Sequence, residues 1–279
     1  MSYRIIVDSC GELTEEMKKS GHFVTAPLSI QVDDHFIVDD ETFDQASFLK
    51  LVAESPNGPK SSCPSPEKYM EYYNCEEERV YAVTLSAELS GSYNSAVLGK
   101  NLYEEEIGEK QIYVFNSRSA SVGETLIGLK IQECEEAGMS FEEVIETTES
   151  YIEEQHTHFV LENLETLKKN GRLTGVKALV ATALNIKPVM ASTPEGTICQ
   201  KGQARGIKKA LDKMADHVVE ELLNAEKKIL AIAHCNCYER AIAVKNMLLQ
   251  KAAFRDVIIL DTRGISSMYA NDGGIIVVV

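Results

Sequence analysis

Short apolar runs alternate along this chain with stretches of helical spacing. YRIIV (residues 3–7), VYAVTL (80–85) and QIYVF (111–115) are too short for helices and are bounded by polar clusters, the pattern of buried strands. Between and after them run ELTEEMKKSG, with a helix from about Thr14, ETFDQASFLKLVAES, and a helix opened by Pro66. A further helix runs to about Leu102, followed by two long helical patterns, SASVGETLIGLKIQECEEAG and SFEEVIETTESYIEEQ. A chain with this rhythm predicts an α/β fold with a mostly parallel sheet. HFVTAPLSIQVDDHFIVDD departs from it: apolar and polar residues alternate, and Asp33–Asp34 falls where a hairpin would turn.

The rhythm changes again near residue 156, which divides the chain into domains of 1–155 and 156–279, to within about ten residues. HFVLENLETLKKNGRLTG predicts a short strand and a helix closing on Gly171. VKALVATAL predicts a helix, and IKPVMASTPEGTICQKG a hairpin around Glu195–Gly196. Ile207, Ala210, Leu211, Met214, Val218 and Leu222 share one face of a helix over about 206–224. KILAIAH, ERAIAVKNMLLQKA, DVIIL and GIIVVV complete a second strand–helix series.

Open α/β sheets bind ligands beyond the C-terminal ends of their strands. Asp8–Ser9, Ser86–Ser92 and Asn116–Ser121 all fall at such ends. The stretch LSAELSGSYNSA (85–96) is the richest in hydroxyls. Its serines suit helix capping, which needs only one of them, and they suit an anion held at a helix start. Their common place at strand ends favours the binding reading over mere capping. A second hydroxyl loop, SSCPS, supplies Ser61, Ser62 and Ser65.

Several functions are excluded or disfavoured. A formal net charge of −15 argues against nucleic acid and against an anionic membrane surface. No apolar run approaches the ~18 residues of a membrane span, and MSYRIIVDS enters a strand without a signal-peptide core, so a cytoplasmic location is expected. Seven scattered cysteines suit reduced thiols, and HCNC (234–237) reads as a loop rather than a zinc site. No phosphate-loop, G-x-G-x-x-G, H-E-x-x-H or G-x-S-x-G pattern occurs, and no metal or cofactor is expected. DDHFIVDDETFD lacks the spacing of an EF-hand and reads as a solvated hairpin and helix start; His156 and His158 read as a solvated pair. Arg172 and Arg205, each beside a glycine, read as solvated residues or as a basic docking pair on an acidic protein.

Motifs in order along the whole chain resemble the DegV family, which is similar to the fatty-acid-binding subunit of the bacterial fatty-acid kinase. They are Asp8–Ser9, SSCPS for the family's Thr-Ser-Gln-Pro-Ser, Leu89 to Tyr93 for its Leu-Ser-Gly-Thr/Ser-Tyr, NSRSASVG, GRL (171–173), IKP with EGTI, and Arg205 before KKAL. The resemblance implies two α/β domains, the second with a mixed sheet and an apolar tunnel for a long acyl chain. It implies a carboxylate held by Ser61 or Ser62, with Ser90 and Gly91, and Arg172 and Arg205 near the mouth as partner-docking residues. It implies a partner, an ATP-dependent kinase subunit similar to dihydroxyacetone kinases, that makes the acyl-phosphate, so this chain would carry substrate and not catalyse. One departure stands out. The family's His-x-Gly-Pro-Gly segment reads YANDGG (269–274), with Ala270 at the His position and Tyr269 or Asn271 as replacement donors.

Magnitudes favour a carrier of long chains. Burying about 14 methylenes at roughly 0.8 kcal/mol each is worth on the order of 11 kcal/mol gross. Each hydrogen bond to a charged carboxylate adds about 1.5–3 kcal/mol. The alternative is a serine-dependent hydrolase or transferase using Ser90 or Ser92 on a small acyl substrate, which needs a base within hydrogen-bond reach. A binder of small phosphorylated ligands would want more basic loops than two.

Overall fold

The computed structural model of the chain describes residues 2–173 and 185–279. The helix expected over VKALVATAL lies outside the described residues. In chain order the first half contains β1 (Tyr3–Asp8), α1 (Glu15–Ser20), β2 (Phe23–Ala26), β3 (Ser29–Val32), β4 (His35–Val38), α2 (Gln45–Glu54), β5 (Lys60–Ser62), α3 (Pro66–Tyr73), β6 (Arg79–Thr84), α4 (Ser92–Glu106), β7 (Gln111–Asn116), α5 (Val122–Glu136) and α6 (Phe141–Glu153). Then follow β8 (Thr157–Val160), α7 (Glu165–Lys169), β9 (Ile186–Ser192), β10 (Ile198–Arg205), α8 (Ile207–Glu221), β11 (Ile229–His234), α9 (Tyr238–Leu249), β12 (Asp256–Asp261), α10 (Gly264–Ala270) and β13 (Ile275–Val278).

The first sheet has the order β2-β1-β6-β7 and is parallel throughout. Its strands read as continuous apolar runs because helices cover both faces. Alternate residues point to opposite sides. Ile5 and Val7 pack with Ile127 and Ile131 of α5, whereas Ile6 packs with Tyr69 and Tyr73 of α3 and Ala96 of α4. Gly99 lets α3 and α4 touch: a Cβ there would sit 2.6 Å from the Pro66 carbonyl oxygen.

The second sheet has the order β10-β9-β8-β13-β11-β12 and is mixed, with β11–β12 parallel and the other pairs antiparallel. The Leu211, Met214 and Val218 face of α8 and the Ala241, Val244 and Leu248 face of α9 close one side. Helix α5 closes the other: Val122 and Leu126 meet Ala231, Ala233 and Val278. α5 is therefore buried between the two sheets, which explains its apolar residues all round rather than on one stripe.

A third, three-stranded sheet, β4-β3-β5, is antiparallel. The β3–β4 turn falls at Asp33, which adopts φ +50°. Against this sheet packs α10, returned from the end of the chain, with Ile265 and Met268 among Leu28, Ile30 and Phe48. Asp39 fixes the contact. Its carboxylate accepts the Gly264 and Ile265 amides at 2.8 Å each, and it is only 1% exposed. The acidic run is thus not solvated throughout, because one of its members caps α10. The reading of His156 and His158 as a solvated pair is also corrected. His158 is wholly buried in β8 with its Nε2 3.0 Å from a Glu221 carboxylate oxygen, and burial pushes its pKa down.

Behind the end of β1 lie three buried carboxyl groups, Asp8, Glu12 and Glu124. Asp8 accepts from the Cys10 and Leu85 amides at 3.0 Å and from Ser92 Oγ at 2.7 Å, tying the ends of β1 and β6 to the start of α4. Glu12 accepts from Ser121 Oγ at 2.7 Å. Neither Glu124 oxygen has a hydrogen-bond partner among the described residues. Burial raises Asp8 to about 6 and Glu12 to about 7, and with the neighbouring Asp8 charge it raises Glu124 well above its ordinary value. A raised carboxyl pKa means that the folded state binds more protons than the unfolded one. The associated stability is present at low pH and is lost as pH rises through the folded values. Stability should therefore fall between about pH 5 and 8, by on the order of 3 kcal/mol from Glu12. Denaturant melts of the protein and of Glu12→Gln and Glu124→Gln across this range check it: the variants should show a flatter profile, and an unchanged slope in both would contradict the assignment.

Candidate functional site

An apolar cavity lies where the two large sheets meet. Leu85, Leu89 and residues 118–121 line it from the first half; Phe159, Leu161, Leu167, Ile198, Ile265 and Ile276 line it from the second. The resemblance implies an acyl tunnel in 156–279; this cavity is lined from both halves, because the segment after β7 and the loop after β6 reach across to the second sheet.

Several lining residues carry hydroxyls, yet each hydroxyl is turned to a protein partner. Ser119 Oγ and Thr157 Oγ1 are 2.6 Å apart, Ser121 Oγ donates to Glu12, and Ser266 Oγ donates to the Cys10 carbonyl at 2.9 Å. Thr197 Oγ1 pairs with Thr193 Oγ1 at 2.9 Å. What these residues leave toward the cavity is carbon. The β9–β10 turn closes one side. Ser86 Oγ donates to the Gly196 carbonyl at 2.8 Å, and Gly196 adopts φ +92° with its Cα so close that a Cβ would lie 2.3 Å from Ser86 Oγ. Ser86 is thus structural, and so is Ser92, which is buried between Asp8 and the Tyr69 hydroxyl.

One end of the cavity gathers polar groups. Tyr269, on α10, lines the cavity, and its hydroxyl lies 3.3 Å from Ser61 Oγ on β5. Arg172 also lines it. Its guanidinium sits over the Tyr269 ring, 5.9 Å from the centroid, while Nε donates to the Leu89 carbonyl at 3.0 Å and Nη1 donates to the Asn170 carbonyl. Arg172 is half-buried, so the reading of it as an exposed docking residue is replaced by a place in the cavity wall. Ser90 follows Leu89 in the same loop, half-buried, with its Oγ accepting the Ser92 amide at 3.2 Å. Gly91 is exposed and begins α4 without a side-chain cap. The two hydroxyl loops touch through Cys63, whose Sγ lies 3.6 Å from Ser95 Oγ and 3.5 Å from the place of a Gly91 Cβ.

Other expected site residues lie elsewhere. Ser62 is exposed on the outer face of β5, because adjacent strand residues point opposite ways and Ser61 takes the inner face. Asn271 does not line the cavity: its Nδ2 donates to the Tyr269 carbonyl at 3.0 Å, and its Oδ1 accepts from Thr166 Oγ1 at 3.4 Å. Arg205 is exposed at the end of β10 opposite to Ile198, and of the two only Ile198 lines the cavity. Ala270, at the family's His position, is buried and lines the cavity. The carbon-faced wall around Ser119, Thr157 and Thr197 was missed in the sequence, where their hydroxyls signal polarity.

Among the described residues no helix is long and apolar enough to cross a membrane, and no cluster of His, Cys, Asp or Glu is arranged to hold a metal. A family profile described as "Uncharacterised protein, DegV family" matches residues 2–279. A DegV domain-containing protein of Streptococcus pneumoniae is 32% identical over 280 residues, covering 99% of this chain and 98% of the relative. A crystal structure of a DegV family protein from Ruminococcus gnavus, described with vaccenic acid, is 67% identical with a TM-score of 0.98 and covers 100% of both chains. The fatty acid kinase (Fak) B3 protein of Streptococcus pneumoniae, loaded with linoleic acid, is 31% identical with a TM-score of 0.87, covering 100% of this chain and 99% of that one. By sequence along its whole described length, and by fold, the chain belongs to the DegV family.

Proposed function

We propose that this protein is a fatty-acid carrier that buries a long acyl chain between its two α/β halves, 1–155 and 156–279, and presents the carboxylate to a separate ATP-dependent kinase subunit similar to dihydroxyacetone kinases. The observation that carries this reading is the cavity itself: a carbon-faced space that ends in a hydroxyl pair, Ser61 and Tyr269, beside the Arg172 guanidinium. The fatty acids carried by its Ruminococcus and Streptococcus relatives support it. The cytoplasm is the proposed location.

The division of labour follows from magnitudes. The chain supplies affinity, at roughly 0.8 kcal/mol per buried methylene. Ser61, Tyr269, Ser90 and Arg172 supply orientation, each through a charge-assisted hydrogen bond of about 1.5–3 kcal/mol. The Tyr269 hydroxyl stands in for the imidazole that Ala270 cannot provide. A serine-dependent hydrolase is disfavoured by the same geometry. Ser92 Oγ donates to buried Asp8, and no histidine hydrogen-bonds either Ser90 or Ser92 among the described residues.

Two titrations test the assignment. Across saturated acids from twelve to sixteen carbons, affinity should rise about fourfold per methylene. A flat series would contradict burial of the chain. With one sixteen-carbon acid, Ser61→Ala and Tyr269→Phe should each weaken binding by about tenfold, and the pair together by less than the product because they share one site. Arg172→Ala should cost at least as much as either. Wild-type affinity in all three would remove the carboxylate from this end of the cavity.

A further inference from the structure

The hairpin and acidic run DDHFIVDDETFD play no part in the cavity. Among the described residues strand β4 is paired on one side only, with β3. It borders a groove that Phe43, Phe48 and Leu51 also line. Phe36 of β4 is 77% exposed, more than any other large apolar side chain among the described residues, and Val38 beside it is 46% exposed. An unpaired edge strand with bare apolar side chains is a liability to an isolated protein and a template for pairing with another.

The chain along this edge is acidic, with the Arg263 guanidinium set against Asp40 and donating to its carbonyl. Residues 33–44 contain six acids and no lysine or arginine. Asp39 is buried under α10, which leaves Asp33, Asp34, Asp40, Glu41 and Asp44 around the strand and the groove. Asn57, Thr42 and Ser47 donate hydrogen bonds to Asp33, Asp40 and Asp44 and hold their carboxyl groups below the usual range, so all three are charged. The register then fixes where the edge lies relative to the mouth. Ile37, Ile30 and Ser61 stand opposite one another across β4, β3 and β5. Two strand spacings, about 10 Å, separate the β4 backbone from that of Ser61.

We propose that the free edge of β4 and its groove dock an extended segment of the partner kinase, one whose apolar residues are flanked by lysine or arginine. The segment adds a strand to β4, seats apolar side chains beside Phe36, Phe43 and Leu51, and places its cations against the acidic rim. The partner is thereby anchored one small sheet away from the carboxylate that it must reach. This inference rests on the carrier reading and locates its partner.

The test uses the full-length, fatty-acid-loaded protein and the purified kinase subunit, with affinity measured by calorimetry at low and high salt and acyl-phosphate followed with ATP. Phe36→Ser with Val38→Ser, and separately Asp34→Lys with Glu41→Lys, should each weaken association at least tenfold. The charge-reversed variant should also lose most of the salt dependence. Fatty-acid affinity, which also reports folding, should stay at the wild-type value in both. Wild-type kinase affinity in both variants would overturn the docking surface while leaving the carrier reading in place. The same holds if Phe36→Ser with Val38→Ser merely converts a dimer of this chain to a monomer. A wild-type protein that takes up fatty acid yet never associates with the kinase would overturn both this surface and the partner it serves.

Discussion

The hydrogen bonds of the Asp39 carboxylate to the first two amides of α10 join positions 225 and 226 residues apart in the chain. Much of the candidate site depends on them. An unsatisfied helix start carries partial positive charge, and a buried carboxylate needs donors, so each answers the other. Once α10 is pinned under the three-stranded sheet, Tyr269 and Ala270 face the cavity and Ser61, on the inner face of that sheet, meets the tyrosine hydroxyl. The end of the chain thereby builds the mouth of a cavity whose opposite wall comes from the first half.

A second constraint is that a cavity for hydrocarbon must show no unsatisfied polar group. The wall meets it by pairing: serine with threonine, serine with carboxylate, serine with carbonyl. The same pairing carries polarity deeper, to Asp8, Glu12 and Glu124: donors from Ser92, Leu85 and Cys10 hold the Asp8 carboxylate, while burial and the Asp8 charge favour the protonated form of Glu124. Helix α5 links both features. Its first residues follow Ser121 in the cavity wall, Glu124 belongs to the acidic cluster, and its length is packed between the two sheets.

Much of this was legible in the sequence. The strands 3–7, 80–85 and 111–115 show as apolar runs because parallel strands covered on both faces leave no room for polar alternation. The hairpins at Asp33 and Gly196 show because their turns need residues that tolerate positive φ. Ser61 and the 89–91 loop enter the proposed site by motif, and Arg172 by the glycine before it. What the sequence hid is tertiary. Asp39 is one of six acids in a row of twelve residues, and nothing local distinguishes the one that caps a helix from those in water. Ser62 differs from Ser61 only by strand parity, which no motif reports. Arg172 and Arg205 were grouped by their similar settings, yet of the two only Arg172 lines the cavity.

The central claim is that the space between the two sheets is built for a fatty acid. Mass spectrometry of organic extracts from the purified, folded protein tests it most directly. The account predicts about one long-chain fatty acid per protein molecule, retained through purification and exchangeable with added fatty acid. Folded protein that yields no fatty acid and takes none up would contradict it.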